Sequence, residues 1–471
     1  MTEKDITPLV QKYKEAKQSG RHAYFDADEF SDLAEYYDSI DEMETAGEII
    51  EEGLRIHPDN NTLLVKKVKV LLNNDETEEA LLLIESVSFY DFELYLLKIE
   101  CYLSMDQFYK ADVIVKELLE KEHDEPMENI LMELGYVFAD VDLNEEAIEY
   151  FEQSLEYNSE NADVLAELAY CYELINDYDA AIEYTNKLLE IKPYKHTAWV
   201  NLGKLYSLVG EYSNAVDAFD FALAIDEYDD TIIKLKAHCM SLSGRVDEAI
   251  EIFNRLLEAK PEDTSLYFLL AECYQALELY DEALDNLEKY RIIKGETEEL
   301  RLKQAYLYMQ KEDYRKAMSM TENGLLLEPD SLEFNILAGE IALKQDKYVE
   351  AEEYLLSIYE ENKDNFHLLD MLAFINIKQG SYDLAIEYTE ALLEMEPDNV
   401  EIRSRLALLY FEMDSEARFN EMLGKFSDNE LLSLFKLIYS PKMAENMDRD
   451  GLISFLNEAR EARTLFKNLK Y

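Results

Sequence analysis

Between residues 199 and 222 the apolar positions keep a helical rhythm. Trp199, Leu202, Gly203 and Tyr206 stand at i, i+3, i+4 and i+7, one face of a helix. Beyond a break at Gly210, Ala215, Phe219 and Ala222 mark the face of a second helix. The pattern predicts two short amphipathic helices joined by a tight turn, and it recurs every 34 residues. With His196 as position 1, position 20 is Ala147, Ala181, Ala215, Ala249, Ala283, Ala317, Ala351 and Ala385, without one insertion or deletion. Position 8 is small throughout: Gly135, Ala169, Gly203, Ala237, Ala271, Ala305, Gly339 and Ala373. Antiparallel helices about 8–10 Å apart need small residues where they touch. Gly203 and Ala215 are therefore expected to meet across one helix pair.

The run W-x2-L-G-x2-Y, followed by A-x3-F, resembles the tetratricopeptide repeat, a 34-residue helix–turn–helix. The frame extends upstream with looser spacing through Ala46, Ala80 and Ala111, and downstream to Leu406, Ala407 and Tyr410. The alanine column fails at Phe419. The resemblance covers about 85% of the chain and implies an all-α fold, a right-handed α-solenoid (superhelix) of about twelve repeats with helical caps. The expected organisation is a capping helix in 1–26, the array in 27–427, and capping helices in 428–471. Amphipathic stretches at 5–18 and 448–469 suit that role, because an array must cover its exposed ends. The second stretch carries Leu452, Phe455, Leu456, Ala459, Leu465 and Phe466, and docking of a partner is its alternative use.

A longer period overlies the first. Pro58, Pro126, Pro193, Pro261, Pro329 and Pro397 are spaced by 68, 67, 68, 68 and 68 residues, so every second repeat ends in proline. Proline stops the second helix, and a following Asp or Asn, as in HPDN and EPDN, caps the next. Trp199, the single tryptophan, fills position 4, where other repeats carry Leu131, Leu165, Tyr267 and Leu369, and is expected in the core.

Charge narrows the partners. The chain has 45 basic and 103 acidic residues, a formal net charge of −58. This argues against nucleic acid and against anionic membranes, whose phosphates need clustered Lys and Arg. It favours approach of basic segments. The N-terminal stretch has no secretory apolar core, and no run is long and apolar enough to span a membrane. A cytoplasmic location and no membrane insertion are expected.

Little points to bond chemistry. Cys101, Cys171, Cys239 and Cys273 all fall at position 10, shared with Val137, Leu205, Leu307 and Ile341. They read as buried apolar side chains. The six histidines make no pair at ligand spacing, and no phosphate loop, CxxC or nucleophile elbow appears. No cofactor, metal or catalytic residue is assigned, and the chain is read as non-enzymatic. Tyr178, Tyr212, Tyr280, Tyr314, Tyr348 and Tyr382 share position 17 and read as packing between repeats.

The remaining place for function is implied by the resemblance. First helices of such repeats line a concave face that binds segments of partner proteins, and position 9 should project there. It reads Tyr136, Tyr170, Lys204, His238, Glu272, Tyr306, Glu340 and Phe374. Position 5 adds Met132, Val200, Lys234, Phe268, Leu302 and Ile336. The candidate groove residues are Met132, Tyr136, Tyr170, Lys204, His238, Phe268, Tyr306 and Phe374. Asn201 and Lys204 lack the companions that a carboxylate clamp of this family needs. The expected function is a protein-interaction scaffold or adaptor, a monomer or weak dimer, whose partners are basic segments with apolar anchors. Its rivals are an accessory factor in membrane-protein or secretion assembly, a regulator of transcription, and a non-catalytic subunit of an enzyme complex. Residues 1–26 are too short for a DNA-binding domain.

Overall fold

The computed structural model describes residues 3–19, 24–87, 92–120, 125–226, 228–413, 415–438 and 447–458. Among them every regular element is a helix, and the chain divides into two compact units, Met1–Arg245 and Val246–Tyr471. The first unit runs α1 (Glu3–Ser19), α2 (Ala27–Ser39), α3 (Met43–Ile56), α4 (Asn61–Asn73), α5 (Thr77–Ser86), α6 (Phe92–Ser104), α7 (Phe108–Glu120), α8 (Met127–Asp140), α9 (Asn144–Tyr157), α10 (Ala162–Leu174), α11 (Tyr178–Ile191), α12 (His196–Leu208), α13 (Tyr212–Ile225) and α14 (Asp230–Leu242). The second runs α15 (Val246–Ala259), α16 (Ser265–Ala276), α17 (Tyr280–Lys294), α18 (Glu298–Gln310), α19 (Tyr314–Leu325), α20 (Leu332–Lys344), α21 (Tyr348–Tyr359), α22 (Phe366–Gln379), α23 (Tyr382–Met395), α24 (Val400–Glu412), α25 (Glu416–Lys425), α26 (Asp428–Ile438) and α27 (Arg449–Glu458). In each unit successive helices pack as hairpins, and each hairpin packs on the next.

The turn within each hairpin has one recipe. Position 15 is left-handed at Asp142, Asn176, Gly210, Gly244, Glu278, Glu312, Asp346 and Gly380, with φ between 56° and 90°. Asp, Asn and Gly tolerate that region, whereas Glu278 and Glu312 occupy it at a cost. The N–H of position 16 donates to the carbonyl of position 11, as from Glu211 to Tyr206 at 2.8 Å and from Asp313 to Tyr308 at 2.9 Å. This closes the first helix as a Schellman motif. The caps expected after proline are present: Asn60 accepts from the Leu63 N–H, and Asn399 from those of Glu401 and Ile402.

Packing adds a contact that the two small columns did not announce. Gly203 lies against the Phe219 ring at position 24, where an added Cβ would stand 2.6–2.8 Å from ring carbons. Gly135 meets Phe151, and Gly339 meets Leu355, in the same way. Position 24 projects one turn beyond position 20, and its side chain fills the space that position 8 leaves open. The alanines of position 20 are fully buried. Where position 24 is Thr185, Thr321 or Thr389, the hydroxyl donates to the position-20 carbonyl one turn back, satisfying a buried polar group.

Trp199 departs from expectation. It is half-buried, its ring stacked on the exposed Phe221 ring at 4.5 Å between centroids. Its Nε1 donates to the Pro193 carbonyl at 2.8 Å, so the polar edge of the indole holds it at the rim of the helix pair. The cysteines follow expectation: all four are buried. Burial pushes the Cys101 thiol up to about 12 and the Cys171 thiol to about 11. Tyr348 at position 17 meets Phe374 of the next repeat edge-on.

Both ends are covered by helix. Ile6, Leu9, Val10 and Tyr13 of α1 are buried with Phe30, Leu33 and Tyr37 of α2. Leu452 and Leu456 of α27 are buried with Leu431, Leu434 and Phe435 of α26 and with Phe419, which fills the broken alanine column. Ala459, Leu465 and Phe466 lie outside the described residues.

Candidate functional site

In the second unit a groove of about 640 Å³ crosses three successive first helices. Its floor is Phe268 of α16 with Leu302 and Tyr306 of α18, positions 5 and 9 of consecutive repeats. Those positions lie one helical turn apart, so each first helix presents both to the same side. Phe268 is braced by Tyr290, edge to face at 4.5 Å. Glu272, Glu298, Glu299, Glu328 and Glu333 line the same space, against one cation, Lys303. Lys303 pairs with Glu272 at 3.2 Å. Ser331 Oγ caps α20 and lies 3.5 Å from Glu298 Oε1, joining two walls of the groove. Burial, and then the charge of Glu340, raises the Tyr306 hydroxyl above its ordinary value. Glu340 in turn bonds His367 at 2.9 Å, and this bond raises the imidazole.

The first unit carries a second row of acids. Glu100 on α6, Glu133 and Asp140 on α8, and Glu167 on α10 are all raised, chiefly by burial. Asp140 adds to the effect at both Glu100 and Glu167, while Lys69 and Lys195 oppose it. Tyr136 stands in this field: burial raises it first, then Glu167, Asp163 and Glu133. Tyr170 is 56% exposed. It lines a small cavity of about 80 Å³ with Asn201.

Of the candidate residues, Phe268 and Tyr306 share one groove. Met132 packs on the core, with its sulfur 3.8 Å from Asn161 Nδ2. Tyr136 meets Phe151 edge-on at 5.3 Å. Phe374 lies beneath the Lys378 ammonium at 5.2 Å. Lys204 is exposed and His238 half-buried. Of the groove glutamates only Glu272, at position 9, was placed on the strip from sequence; Glu298, Glu299, Glu328 and Glu333 were not, because 103 acidic residues give no contrast. Among the described residues no cluster of His, Cys, Asp and Glu is arranged to hold a metal ion, and no helix is long and apolar enough to cross a membrane.

Family models described as tetratricopeptide repeat match residues 144–202, 302–366 and 366–399. A model described as anaphase-promoting complex, cyclosome, subunit 3 matches residues 208–290. No curated protein matches the chain in sequence. Among solved structures, a tetratricopeptide repeat protein from Parabacteroides merdae is 21% identical, over 52% of this chain and 96% of its own, with a TM-score of 0.38. Yeast Tom70 is 15% identical, over 78% and 85%, with a TM-score of 0.43. YrrB, described as a tetratricopeptide repeat protein with an unusual peptide-binding site, is 22% identical, over 39% and 95%, with a TM-score of 0.31.

Proposed function

The chain belongs to the tetratricopeptide-repeat family, and from that premise we propose that it is a non-enzymatic scaffold binding basic segments of partner proteins on its first-helix faces. The observation that carries this reading is the groove over Phe268, Leu302 and Tyr306, with its five glutamates and one paired lysine. An apolar floor offers burial to an aliphatic or aromatic anchor. The acidic walls favour flanking Arg or Lys, and Arg matches a carboxylate with two parallel hydrogen bonds. The raised acids of the first unit support the same polarity, since an approaching cation lowers the cost of half-buried carboxylates. Work as a non-catalytic subunit of an assembly suits such a surface, and the match of 208–290 to a complex subunit favours that setting. Tyr136 and Tyr170 extend the recognition strip in the first unit.

The test is stopped-flow binding of a labelled peptide of Arg and Lys interspersed with Leu and Phe, to the wild type and to Tyr306→Ala. Between 0.1 and 1 M salt the Debye length falls from ~10 to ~3 Å, so the association rate should drop. Tyr306→Ala should hasten dissociation by about ten-fold, the loss of one well-buried anchor contact. An acidic peptide that binds as well as the basic one would refute the reading.

A further inference from the structure

The second helices of the repeats end on a column, position 29, that is glutamate in five of the eight repeats of the strict frame and the small Ala224 in a sixth. Position 29 is Glu156, Glu190, Glu258, Glu360 and Glu394, all exposed. In the two consecutive repeats that build the groove it is Ile292 and Leu326, followed by Ile293 and Leu327. These four aliphatic side chains are 73%, 79%, 51% and 68% exposed. Position 30 is apolar in most sisters as well, as at the exposed Tyr157, Ile225 and Met395, so the departure lies at Ile292 and Leu326, which put apolar surface where five sisters carry glutamate, while their helix ends stay intact. Gly295 closes α17 with φ of 88°, and the Leu326 and Leu327 N–H groups bond back to Glu322 and Gly324. Packing within the chain gives no reason for aliphatic residues there.

The column adjoins the groove. Leu327 directly precedes Glu328, a groove residue, and four residues separate Ile293 from Glu298, another. We propose that Ile292, Ile293, Leu326 and Leu327 form an apolar lip that extends the acidic groove into one composite docking surface for a basic amphipathic segment of another protein. This rests on the reading of the groove given above. The segment lays aliphatic side chains on the lip, directs Arg or Lys at Glu298 and Glu328, and seats an anchor on Phe268 and Tyr306. Contiguous exposed apolar surface rimmed by charge is the usual form of an interaction site. Charge decides against a second copy as occupant. Each copy carries a formal −58, and the lip is flanked by glutamates that would face their own kind.

The experiment compares three proteins in titrations with a labelled amphipathic peptide of Arg, Lys, Leu and Phe, and with its counterpart carrying Ser for every Leu and Phe. The proteins are the wild type, a lip variant Ile292→Gln with Leu326→Gln, and a groove variant Glu298→Gln with Glu328→Gln. In the lip variant the uncharged glutamines leave the field unchanged, whereas the groove variant removes two carboxylates; exposed substitutions of this kind are near neutral for folding, which circular dichroism checks. The lip variant should bind the amphipathic peptide about ten-fold more weakly, equivalent to ~1.4 kcal/mol. It should bind the Ser counterpart as the wild type does. The groove variant should weaken both peptides. If the lip variant binds the amphipathic peptide like the wild type while the groove variant is weakened, the lip inference fails and the groove reading stands. If neither variant changes binding, both fail. Lip-dependent self-association in sedimentation would assign the lip to a second copy and overturn the inference.

Discussion

Gly203→Ala isolates the packing rule that spaces the two helices of a repeat. The new Cβ would lie 2.6, 2.7 and 2.8 Å from Cε1, Cδ1 and Cζ of Phe219. Ordinary carbon contact begins near ~3.5 Å, so the ring must retreat by about 1 Å. Phe219 is 1% exposed, so its retreat must displace core neighbours. Overpacking of this kind costs about 1–3 kcal/mol, and the gain in helix propensity from Gly to Ala returns about 1 kcal/mol. The net expectation is a loss of about 1 kcal/mol. Phe219→Leu alone should also lose about 1 kcal/mol, through a cavity beside Gly203. The double variant recreates a pair that the chain already uses, Ala271 at position 8 with Leu287 at position 24, both fully buried in one cluster; the single variant's pair also occurs, as Ala237 with Phe253, so the loss is tied to the spacing of this repeat, where glycine is native and an added Cβ meets the ring. The double variant should therefore recover most of both losses, with a coupling energy of about 1–2 kcal/mol. Urea unfolding followed by fluorescence measures this directly, because the single tryptophan, Trp199, sits in the same repeat. Additive losses, or a Gly203→Ala protein as stable as the wild type, would refute the rule.

Three other outcomes follow from features outside that repeat. Glu312→Gly relieves a left-handed residue with φ of 62°, where strain of about 1–2 kcal/mol exceeds the backbone entropy of glycine, roughly 0.5–1 kcal/mol; the urea midpoint should rise slightly, and a fall would show the turn to be unstrained. The raised acids Glu100, Glu133, Asp140 and Glu167 bind protons more readily folded than unfolded; stability should rise as pH falls from neutral through their raised values and level off below the ordinary carboxylate range of ~4, and Asp140→Asn should flatten this slope in thermal melts. The four cysteine thiols are buried, and those of Cys101, Cys171 and Cys239 are shifted upward; all four should react with a disulfide reagent only along the unfolding curve, and early labelling of the native protein would contradict their placement.

The helices were legible in the sequence because their spacing is held by residues that tolerate no exchange. Alanine at position 20 and glycine or alanine at position 8 mark helix approach, and both columns are buried. The partner of position 8 was not legible from the columns alone. Position 24 varies between Phe, Thr and Leu, and its contact becomes visible only against position 8: glycine faces Phe151, Phe219 and Leu355, while alanine occurs with Leu287, the threonines and, once, as Ala237, with Phe253. The turn was partly readable. Asp142, Asn176, Gly210 and Gly380 form a column of residues that accept positive φ, which Glu278 and Glu312 obscure. Trp199 was misplaced because position 4 lies at the edge of the helix pair, where a leucine can turn inward but an indole cannot bury its N–H without a partner. The groove was half legible. Its floor follows from positions 5 and 9, but its glutamates are few among very many, and only their convergence sets them apart.

An array built on one register separates two kinds of demand. Columns that face the core must satisfy the neighbouring repeat, so position 3 is Ile130, Val164, Ala198, Ile232, Leu266, Leu300, Phe334 and Leu368, all buried. Even there a change is met by its neighbour: Phe334 is the largest of the column, and it lies over Gly324, where a Cβ would come within 2.3 Å of the ring. Columns that face solvent carry no such demand, and glutamate recurs at position 29 because an acidic, solvated edge suffices. A departure there toward Ile292 and Leu326 has no compensating partner within the repeat. Exposed aliphatic surface gains free energy only when something removes it from water, at roughly 25 cal/mol per Å². Departures in core columns should therefore alter stability and leave binding intact, while departures in solvent columns should do the reverse. Leu300→Ala and Tyr306→Ala, two sites on the same helix, put that division to the test: the first should lower the unfolding midpoint, and the second should lower peptide affinity in a fold of unchanged stability. Equal effects of both variants on both measurements would mean that this groove belongs to the core.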